Sequence, residues 1–593
     1  DTFLFRPPGS NGIISCYCNM CSQEFQQIFE ITPPTESNWE TLYGVSAVIP
    51  DTDPWLEWRK FRCYGEYGSW HEMLEGEKNT ISPQIKMGPA HGLAQYPFFY
   101  PDTGLYPPAD LGGLSLLSSY FYPSLFRQTK DCIQHSDLAF MGNRSGKEQF
   151  IIAQAHGRNY IVPSGSGSIL YGDGEGNSMS AAPGWFIRSQ FYNWLAGGAT
   201  GIFYFAYSSL IDATYGQEAF DEIRSLGAIA KNYGALFNSL ERERKDIAVL
   251  LSLTSSNFYD PPLGGSYRAL LTAHLPVETI CEEEIEDGRL PNYKVLVLEG
   301  VNYLPQSVYD QIEDFIDSGG MVLCTASSNL PVPGAMQGLN VDQVVQNATT
   351  CVNPSITVDS SDVIMRVFQG EGTTYLWLIN TYTDRWAVGT SLYNTLVVPQ
   401  SITTNLTLPE SLDIYDVVKG NTIQPTSGST YSITLDAAGG ALLRLGYNYL
   451  SNSGFERGQS GWTVNSAAPG TASIVTDSTK THSGSQCLLF APAYPGQQEA
   501  HIYQTISLPA QQTCTFKMRA RVNSGTCRVK LVVYQYNSSS QFMGSVCSNY
   551  FTATDKWQEF MWRYTPGTDV ARVGCALSVL DGSVYLDDIF FGM

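Results

Sequence analysis

The spacing of apolar and polar positions along residues 149–207 predicts the order strand, loop, helix, strand. Residues 149–154 (QFIIAQ) form a short apolar run of the kind found in buried parallel strands. A Gly/Ser-rich loop at 163–177 precedes an amphipathic helix at 184–196, and residues 201–207 (GIFYFAY) repeat the apolar strand pattern. Because parallel strands need a crossover connection, usually a helix, this stretch predicts one β/α unit of a parallel sheet.

Residues 1–238 as a whole predict a short series of such β/α units. A closed (β/α)8 barrel has eight units, with catalytic side chains where the strands end and the loops begin. The series here is about half as long, so we expect a partial barrel comprising its strands four to eight. Half a barrel would expose a parallel edge strand. We therefore expect either that the first units precede Asp1 or that another element covers this edge.

The pattern changes twice after the predicted barrel. Residues 239–347 contain the buried strand runs 246–252 and 294–298 with a helix between later strands, which predicts a small doubly wound α/β domain. Residues 348–447 lose helical periodicity and predict a small antiparallel β-sandwich. Residues 448–593 predict a second all-β domain. The expected fold class is therefore multidomain, with α/β domains followed by all-β domains.

Charge and composition narrow the classes of partner. The chain of 593 residues has a formal net charge of −22, which argues against nucleic acid and anionic membranes as partners. No apolar run reaches about eighteen residues, so we expect no membrane span. Tyrosine is abundant, with 35 residues. Flat apolar rings with a polar edge suit sugar rings, although a β-rich secreted protein would have the same composition.

Cysteines and glycosylation sequons bear on the compartment. Of the 13 cysteines, three cluster within residues 16–21 and the last five follow residue 448. The Asn-x-Ser/Thr sequons are Asn143, Asn347, Asn405 and Asn537. Together with the low lysine content and the acidity, these features favour a secreted, extracellular glycoprotein with some disulfides.

The domain order resembles the clan A glycoside hydrolases, nearest to the family forty-two β-galactosidases. The cluster at 16–21 (CYCNMC) before an aromatic helix is similar to the cysteine cluster that follows the fourth barrel strand in that family. The domain at 240–345 resembles its glutamine-amidotransferase-like trimerisation domain. The final domain resembles jelly-roll carbohydrate-binding modules, which begin with an Asn-x-Gly-Phe-Glu element and end with an Asp-Asp pair, here 452–456 and 587–588.

The resemblance implies retaining hydrolysis by two carboxylates about 5 Å apart, one acting as acid/base and one as nucleophile. The acid/base would lie just before the cysteine cluster, but the chain begins at Asp1 without an Asn-Glu pair. The nucleophile would end strand seven, where residues 151–154 read IIAQ and place Ala153 at the position. Alanine has no nucleophilic group. The loop acids Asp173 and Glu175 are weak catalytic candidates, and solvated loop carboxylates are the alternative.

Several polar and aromatic residues are candidates for substrate binding. They are His91, Gln154, His156, Tyr207 and Trp462. In the final domain the candidates for stacking on a sugar are Trp462, Tyr494, Tyr534 and Trp557. Each has a structural alternative, since a histidine can cap a strand end and an aromatic side chain can belong to a hydrophobic core.

Two metal sites are expected. The candidate zinc ligands are Cys16, Cys18, Cys21 and Cys63. These thiolates bind one zinc ion, or Cys63 forms a disulfide with one of the other three. In the jelly roll, the resemblance implies a structural Ca²⁺ held by Glu456 and Asp588, with Asp587 as the alternative ligand.

Two functions are consistent with these patterns. The first is a non-catalytic relative of glycoside hydrolases that binds carbohydrate or serves as a structural component of an extracellular assembly, as a homo-oligomer or with partners. The alternative is an active retaining β-galactosidase-like hydrolase whose carboxylates lie outside the expected positions or upstream of Asp1. The missing glutamates favour the first hypothesis, and the intact domain order favours the second.

Overall fold

The structure is a computed structural model in which helices and parallel strands precede antiparallel sheets. It describes residues 19–34, 42–61, 69–82, 116–121, 129–140, 148–157, 160–164, 167–171, 180–205, 210, 216–243, 245–258, 265–370, 373–385, 394–395, 398–409, 411–412, 414–446, 448–455, 457–477, 479–482, 486–508 and 513–592. The predicted combination of mixed α/β and all-β sheets is confirmed. Across these ranges, the helices lack the length and apolar character needed to cross a bilayer.

The N-terminal part contains a parallel sheet. Its elements are α1 (Asn19–Phe29), β1 (Ala47–Ile49), α2 (Pro54–Lys60), α3 (Ser69–Ile81), β2 (Leu116–Phe121), α4 (Asp131–Phe140), β3 (Glu148–Gln154), β4 (His156–Gly157), β5 (Tyr160–Ser164), β6 (Gly167–Tyr171), β7 (Ser180–Ala181), α5 (Gly184–Gly197), β8 (Gly201–Phe205) and α6 (Gly216–Ser239). Strands β2, β3 and β8 pair in parallel in that order. Helices α4 and α5 connect them, so the predicted strand–helix–strand unit is confirmed. The partial barrel of strands four to eight stays a prediction.

The predicted loop at 163–177 is partly wrong. Strands β5 and β6 form an antiparallel hairpin that reaches into it, with Ile161 opposite Leu170 and Val162 opposite Ile169. The glycine and serine content led to the loop prediction, but the β-branched and apolar residues at 160–162 and 169–171 favour strands.

Helix α5 is buried nearly all round, whereas the sequence predicts an amphipathic helix. It lies against β3 on one side, and Tyr192 packs edge to face on Trp377 of a later sheet, with ring centroids 6.1 Å apart. Of its buried polar side chains, Asn193 donates to Ser189 O at 2.8 Å within the helix, and Ser189 contacts Thr129 Oγ1 at 2.8 Å. The helix ends at Gly198, whose φ of 91° is left-handed and suits glycine. A second layer of protein therefore covers the face expected to meet water.

The α/β unit is a five-stranded parallel sheet. Its elements, preceded by β9 (Glu241–Arg242), are β10 (Ile247–Leu251), α7 (Leu253–Phe258), α8 (Gly265–Thr272), β11 (Val277–Cys281), α9 (Glu282–Glu286), a 3₁₀ turn (Leu290–Asn292), β12 (Val295–Leu298), β13 (Tyr303–Pro305), α10 (Gln306–Asp317), β14 (Met321–Thr325), β15 (Met336–Leu339) and α11 (Val341–Cys351). The strand order is β11-β10-β12-β14-β15. Strands β10 and β12 are buried throughout, because helices cover both sheet faces. The strands predicted at 246–252 and 294–298 are confirmed.

The middle β-sandwich has two antiparallel sheets. The elements of this stretch are β16 (Thr357–Val358), β17 (Val363–Gly370), β18 (Thr373–Asn380), a 3₁₀ turn (Tyr382–Arg385), β19 (Asn394–Thr395), β20 (Ile402–Thr407), β21 (Ile414–Asp416), β22 (Asn421–Ile423), β23 (Thr430–Leu435) and β24 (Gly440–Leu445). Strand β19 pairs in parallel with β5 of the N-terminal part and belongs to neither sheet of the sandwich. The six-stranded sheet β22-β21-β24-β18-β17-β9 packs on the three-stranded sheet β16-β20-β23. Strand β9 belongs to this sheet although it follows α6 directly, so the N-terminal part and the sandwich share a sheet.

The C-terminal β-sandwich also has two antiparallel sheets. Its elements are β25 (Thr463–Val464), β26 (Gly470–Val475), β27 (Cys487–Pro492), β28 (Ala500–Ser507), β29 (Cys514–Ser524), β30 (Cys527–Tyr536), β31 (Phe542–Cys547), β32 (Phe551–Ala553), β33 (Gln558–Tyr564), β34 (Arg572–Val579) and β35 (Ser583–Gly592). The β34 sheet has the order β25-β28-β34-β30-β31, with β32 also paired to β30, and the β35 sheet has the order β26-β27-β35-β29-β33. Alternate residues of both sheets form one core.

One buried carboxylate joins three parts of the chain. Asp137 of α4 is 0% exposed and forms ion pairs with Arg242 of β9 and with Arg366 of β17, the latter at 3.2 Å between Oδ1 and Nη2. The hydroxyl of Tyr267 on α8 donates to its other oxygen. Since one carboxylate satisfies donors from the α/β unit and from the middle sandwich, these units are fixed on the N-terminal part around Asp137.

We expect Asp137→Asn to destabilise the protein by about 3–5 kcal/mol, because two buried guanidinium groups would lose their counter-charge. Asp221→Asn is the matched control, since Asp221 forms an exposed pair with Arg224 at 3.7 Å and its loss should change stability by less than about 0.5 kcal/mol. Urea denaturation of both variants measures the difference. Equal midpoints for the two variants would contradict the role assigned to Asp137.

Candidate functional site

The outward face of the β34 sheet has small side chains along its centre. Gly574, Ala576 and Ser578 alternate with core residues along β34, and Val532 of β30 lies opposite Ala576. Although they lie on the outward face, Ala576 and Ser578 are 0% exposed. Longer side chains on the neighbouring strands rise above them. The face is therefore a trough with a floor formed by these four residues, and we call it the trough.

Two tyrosines meet above Gly574. Tyr503 of β28 and Tyr534 of β30 pack edge to face, with ring centroids 5.9 Å apart. A Cβ atom at Gly574 would lie 3.1 Å from Tyr534 Cδ2 and 3.7 Å from Tyr503 Cδ2. Because Gly574 has no side chain, both rings can pack directly against the floor of the trough. Each ring forms part of one wall.

The wall on the β30 side continues with further aromatic residues. Tyr536 and Phe542 lie opposite each other on β30 and β31, with ring centroids 5.8 Å apart. Phe542 is 61% exposed, and Tyr550, which follows β31, is 40% exposed. Contiguous exposed apolar patches of this kind often mark ligand-binding sites. This wall is consequently the part of the trough with the most accessible aromatic surface.

Glu499 accepts four hydrogen bonds at the other end of the trough. Lys530 Nζ donates to Oε1 at 2.6 Å, and the hydroxyl of Tyr550 donates to the same oxygen. Ser578 Oγ donates to Oε2 at 2.9 Å, and His501 Nε2 lies 2.9 Å from that oxygen. The carboxylate thus connects strands β28, β34 and β30 across the trough floor.

The network extends from Glu499 to Tyr534 through His501. Burial lowers the pKa of His501, so its ring is neutral near pH 7. With Nε2 donating to Glu499, the other ring nitrogen Nδ1 accepts from the Tyr534 hydroxyl. That hydroxyl also accepts from Asn465 Nδ2 at 3.2 Å. These two hydrogen bonds hold the Tyr534 hydroxyl in place and so fix the orientation of its ring.

The Glu499 carboxyl is held in its ionised form. Burial opposes its ionisation, but the hydrogen bonds from Lys530, Tyr550, His501 and Ser578 outweigh burial and lower the pKa of Glu499 to about 2. A group with so low a pKa and with four donors is a poor general base. Glu499 positions its neighbours and does not supply acid–base chemistry.

The outward face of the β35 sheet is built differently. Lys517 lies over the ring of Phe590 at 5.9 Å, and Arg521 lies over the ring of Tyr585 at 5.7 Å. Long basic side chains therefore cover the aromatic rings on that face. On the β34 sheet, Lys530 and Arg528 lie over the Tyr550 ring at 4.8 and 5.7 Å, but Tyr503, Tyr534, Tyr536 and Phe542 pack on one another. The trough is therefore the better candidate for stacking on a ring-shaped ligand with hydroxyl groups.

Ala153 does not face the centre of the predicted barrel, contrary to the sequence interpretation. Its side chain is 0% exposed and packs with Ile151, Cys132 of α4 and Trp194 of α5. Ala153 therefore faces the layer of helices. In a strand buried on both faces the apolar pattern does not reveal which face is inward, and the interpretation chose the wrong one.

Gln154 occupies the opposite face at the end of β3. Its side chain is 0% exposed, and Gln190 of α5 bonds its backbone, accepting from Gln154 N at 3.1 Å and donating to Gln154 O at 2.9 Å. The strand end on the face opposite Ala153 thus holds an amide, which is neither a nucleophile nor an acid.

Many of the sequence-predicted site residues lie outside the described part of the structure. They are His91, Asp173, Glu175, Tyr207, Cys16, Cys18, Cys63 and Glu456, together with the side chain of His156. Their assigned roles stay predictions. The zinc or disulfide site retains one described member, Cys21, which lies on α1 beside the aromatic cluster of Phe25, Trp55, Trp58 and Phe61.

Trp462 belongs to the core of the C-terminal β-sandwich. It is 4% exposed, its ring centroid is 5.4 Å from that of Phe455, and its Nε1 donates to Asn452 O at 3.0 Å. A ligand cannot reach this ring. Of the four predicted stacking candidates, Tyr534 lies in the trough.

The acidic pair at the end of the chain supplies oxygen ligands of the type that Ca²⁺ prefers. Asp587 and Asp588 are 0% and 6% exposed, and Gly454 approaches both carboxylates. His482 contacts both, since its backbone N–H donates to Asp587 Oδ2 at 3.0 Å and its Nδ1 lies 2.6 Å from Asp588 Oδ2. Within the described ranges, groups of three or more metal-ligating side chains do not occur. The chemistry of this pair fits calcium, and the ion stays a prediction.

Residues 447–578 match the family model described as "Carbohydrate binding domain". The floor and walls of the trough lie within this segment. None of the curated proteins matches the chain. The sequence thus defines a class for its C-terminal part, a carbohydrate-binding domain.

Solved structures similar to this chain include glycoside hydrolases and carbohydrate-binding modules. A catalytic mutant of Gan42B, a GH42 β-galactosidase from G. stearothermophilus, has 13% identity, covers 73% of this chain and 76% of its own, and has a TM-score of 0.49. TmCBM61 in complex with β-1,4-galactotriose has 21% identity, 24% and 97% coverage and a TM-score of 0.19. The CBM22-1 xylan-binding domain of Paenibacillus barcinonensis Xyn10C has 15% identity, 25% and 94% coverage and a TM-score of 0.21. The neighbours include the family named from the sequence, but likenesses at these levels support no functional argument.

The sequence interpretation did not identify most of the trough. The residues it missed are Glu499, His501, Tyr503, Lys530, Tyr536, Phe542, Tyr550 and Ser578. Alternation at 499–505 (EAHIYQT) and 528–536 (RVKLVVYQY) does separate polar and aromatic residues from core residues. The alternation of polar and core residues was therefore visible within each strand. The sequence did not show which strands are neighbours, because that depends on long-range pairing.

We expect Glu499→Gln to lower the melting temperature at pH 7 and to do so less as the pH falls. The Glu499 pKa is depressed in the folded state, so its stabilisation is complete above the unfolded-state pKa of about 4.3 and is lost as the pH falls toward 2. Glutamine resembles the protonated form. Melting of both proteins between pH 7 and 3 tests this, and a deficit that grows on acidification would contradict the network.

Proposed function

We propose that the protein binds carbohydrate in the trough of its C-terminal β-sandwich. The observation that carries this proposal is the trough itself, an aromatic-walled channel with a floor of small residues inside the segment that matches a carbohydrate-binding domain. Tyr503 and Tyr534 offer ring faces and edges to the apolar face of a sugar, and Phe542 extends this surface outward.

Polar groups at the Glu499 end of the trough would orient the sugar. Lys530 has three N–H donors and gives one to Glu499, which leaves donors for a sugar hydroxyl. Glu499 accepts four hydrogen bonds and so holds Lys530, His501 and indirectly Tyr534 in place. Binding groups that are fixed beforehand lose little side-chain entropy when the ligand arrives.

We expect Tyr534→Ala to weaken carbohydrate binding at least about tenfold, or ~1.4 kcal/mol, because it removes a ring from the wall and leaves His501 Nδ1 without its donor. Tyr534→Phe keeps the ring and should lose less affinity. Titration calorimetry of the whole chain with β-1,4-galactotriose and with xylan oligosaccharides measures both effects.

The control for this titration is Met561→Ala, which removes an exposed apolar side chain from the outward face of the β35 sheet. Its affinity should equal that of the unmodified protein. Binding that survives Tyr534→Ala but is lost in Met561→Ala would move the site to the β35 sheet and overturn the proposal.

The barrel-like part is proposed to be non-catalytic. Retaining hydrolysis needs two carboxylates, and the inward position at the end of β3 holds Gln154 while Ala153 faces the helices. Secretion, glycosylation and membership of an oligomer or extracellular assembly belong to the same proposal. Asn405 supports glycosylation, since this sequon asparagine lies exposed on β20.

We expect no turnover of 4-nitrophenyl β-galactoside by the protein, because the strand end offers no nucleophile. Release of nitrophenolate is the measurement. Turnover that disappears in Glu175→Gln or Asp173→Asn would establish the alternative function, a retaining hydrolase with its carboxylates on the loop. Turnover that persists in both variants would place the catalytic carboxylates elsewhere in the protein. It would equally contradict the proposal that the protein is non-catalytic.

A further inference from the structure

A cavity of about 490 Å³ lies between the α/β unit and the middle β-sandwich, far along the chain from the trough. It opens at the start of strands β10 and β11, and β17 and the segment 352–356 after α11 form its other walls. The charged or titratable residues that line it are Glu243, Lys245, Asp246, His274, Lys294 and Arg366. Its volume is that of a site for a small molecule.

Lys245 is the first unusual group in this cavity. It is 3% exposed, and within the described part of the chain its ammonium forms no hydrogen bond and no ion pair. Burial and the neighbouring charge of Arg366 lower the pKa of Lys245 to about 7. An ammonium group taken out of water without a partner is costly, so a lysine in this position needs a compensating group.

Arg366 is the second. It is 3% exposed, its Nη1 donates to Val277 O at 3.0 Å, and its Nη2 pairs with Asp137. Its Nε is buried and finds no hydrogen-bond partner among the described residues. The carboxylate of Asp137 is shared with Arg242, so one negative charge serves two guanidinium groups.

The acidic residues around the cavity lie near the two cations, but within the described part of the chain none bonds Lys245 Nζ or Arg366 Nε. Asp246 pairs with Lys294 at 2.9 Å, and Glu278 accepts from the Tyr293 hydroxyl at 2.8 Å. Burial raises the pKa of the Glu243 carboxyl, and the charge of Lys245 opposes this rise. In a chain with a net charge of −22, this cavity thus holds two buried cationic side chains with N–H donors that no described residue bonds.

We propose that the cavity binds a small molecule through an oxyanion group, a phosphate, sulfate or carboxylate, held by Lys245 and Arg366. An oxyanion would accept hydrogen bonds from the Lys245 ammonium and the unpaired Arg366 Nε. This site is separate from the trough and does not depend on carbohydrate binding there.

The test is calorimetric titration of the whole chain with sodium sulfate, sodium phosphate and sodium glucuronate at constant ionic strength. We expect saturable binding of at least one of them and a loss of at least about tenfold in affinity in Lys245→Met and Lys245→Gln. Lys419→Met makes the same change in net charge at an exposed lysine outside the cavity and should bind as the unmodified protein does.

The outcomes separate the sources of the oxyanion. Tighter binding of sulfate or phosphate indicates a free inorganic anion, and tighter binding of glucuronate indicates an acid group on a sugar-sized molecule. Lys245→Met should also melt no lower than the unmodified protein in chloride, because an apolar side chain needs no counter-charge there. Tyr534→Ala should keep the anion site. Absence of saturable binding of all three anions, or equal affinity in the Lys245 variants, would overturn the proposal.

Discussion

The arrangement of the first three parts of the chain depends on the buried carboxylate of Asp137. It lies on a helix of the parallel sheet, and its donors come from β9, from β17 and from helix α8 of the α/β unit. A buried charge is tolerated only where donors surround it, so these contacts specify one relative position of the units. Arg366 pairs with this carboxylate through Nη2, while its buried Nε has no hydrogen-bond partner among the described residues.

The two outward faces of the C-terminal β-sandwich differ in the size of their side chains. On the β35 sheet, long basic side chains lie over the aromatic rings and shield them. On the β34 sheet, small residues at Gly574, Ala576 and Ser578 leave the centre low, and Tyr503, Tyr534 and Phe542 form aromatic walls beside it. Because successive residues of a strand point alternately to the core and to the surface, this difference between the outward faces does not change the packing of the core. The outward face of the β34 sheet can therefore bind a ligand, whereas the outward face of the β35 sheet only covers the core.

The sequence was informative where a pattern is local. The continuous apolar runs of β10 and β12 and the strand–helix–strand unit around β3 follow from their periodicity. The face that Ala153 occupies does not, since both faces of β3 are buried and only the helices α4 and α5 decide which one is outward. Glu499 and Lys530 are 31 residues apart and meet only after the strands pair. The burial of helix α5 on its second face could not be predicted either, because the strand β18 that covers this face comes from residues far along the chain.

Hydrogen exchange with mass spectrometry tests the central claim most directly. The whole chain would be measured free and saturated with the oligosaccharide that binds best among β-galactan, xylan and β-glucan fragments. The trough as the binding site predicts slower exchange in peptides that cover 499–507 and 527–550, with no change in those that cover 514–521 of the β35 sheet. Protection confined to residues 148–205, or to 514–521, or no binding by any of these oligosaccharides, would contradict it.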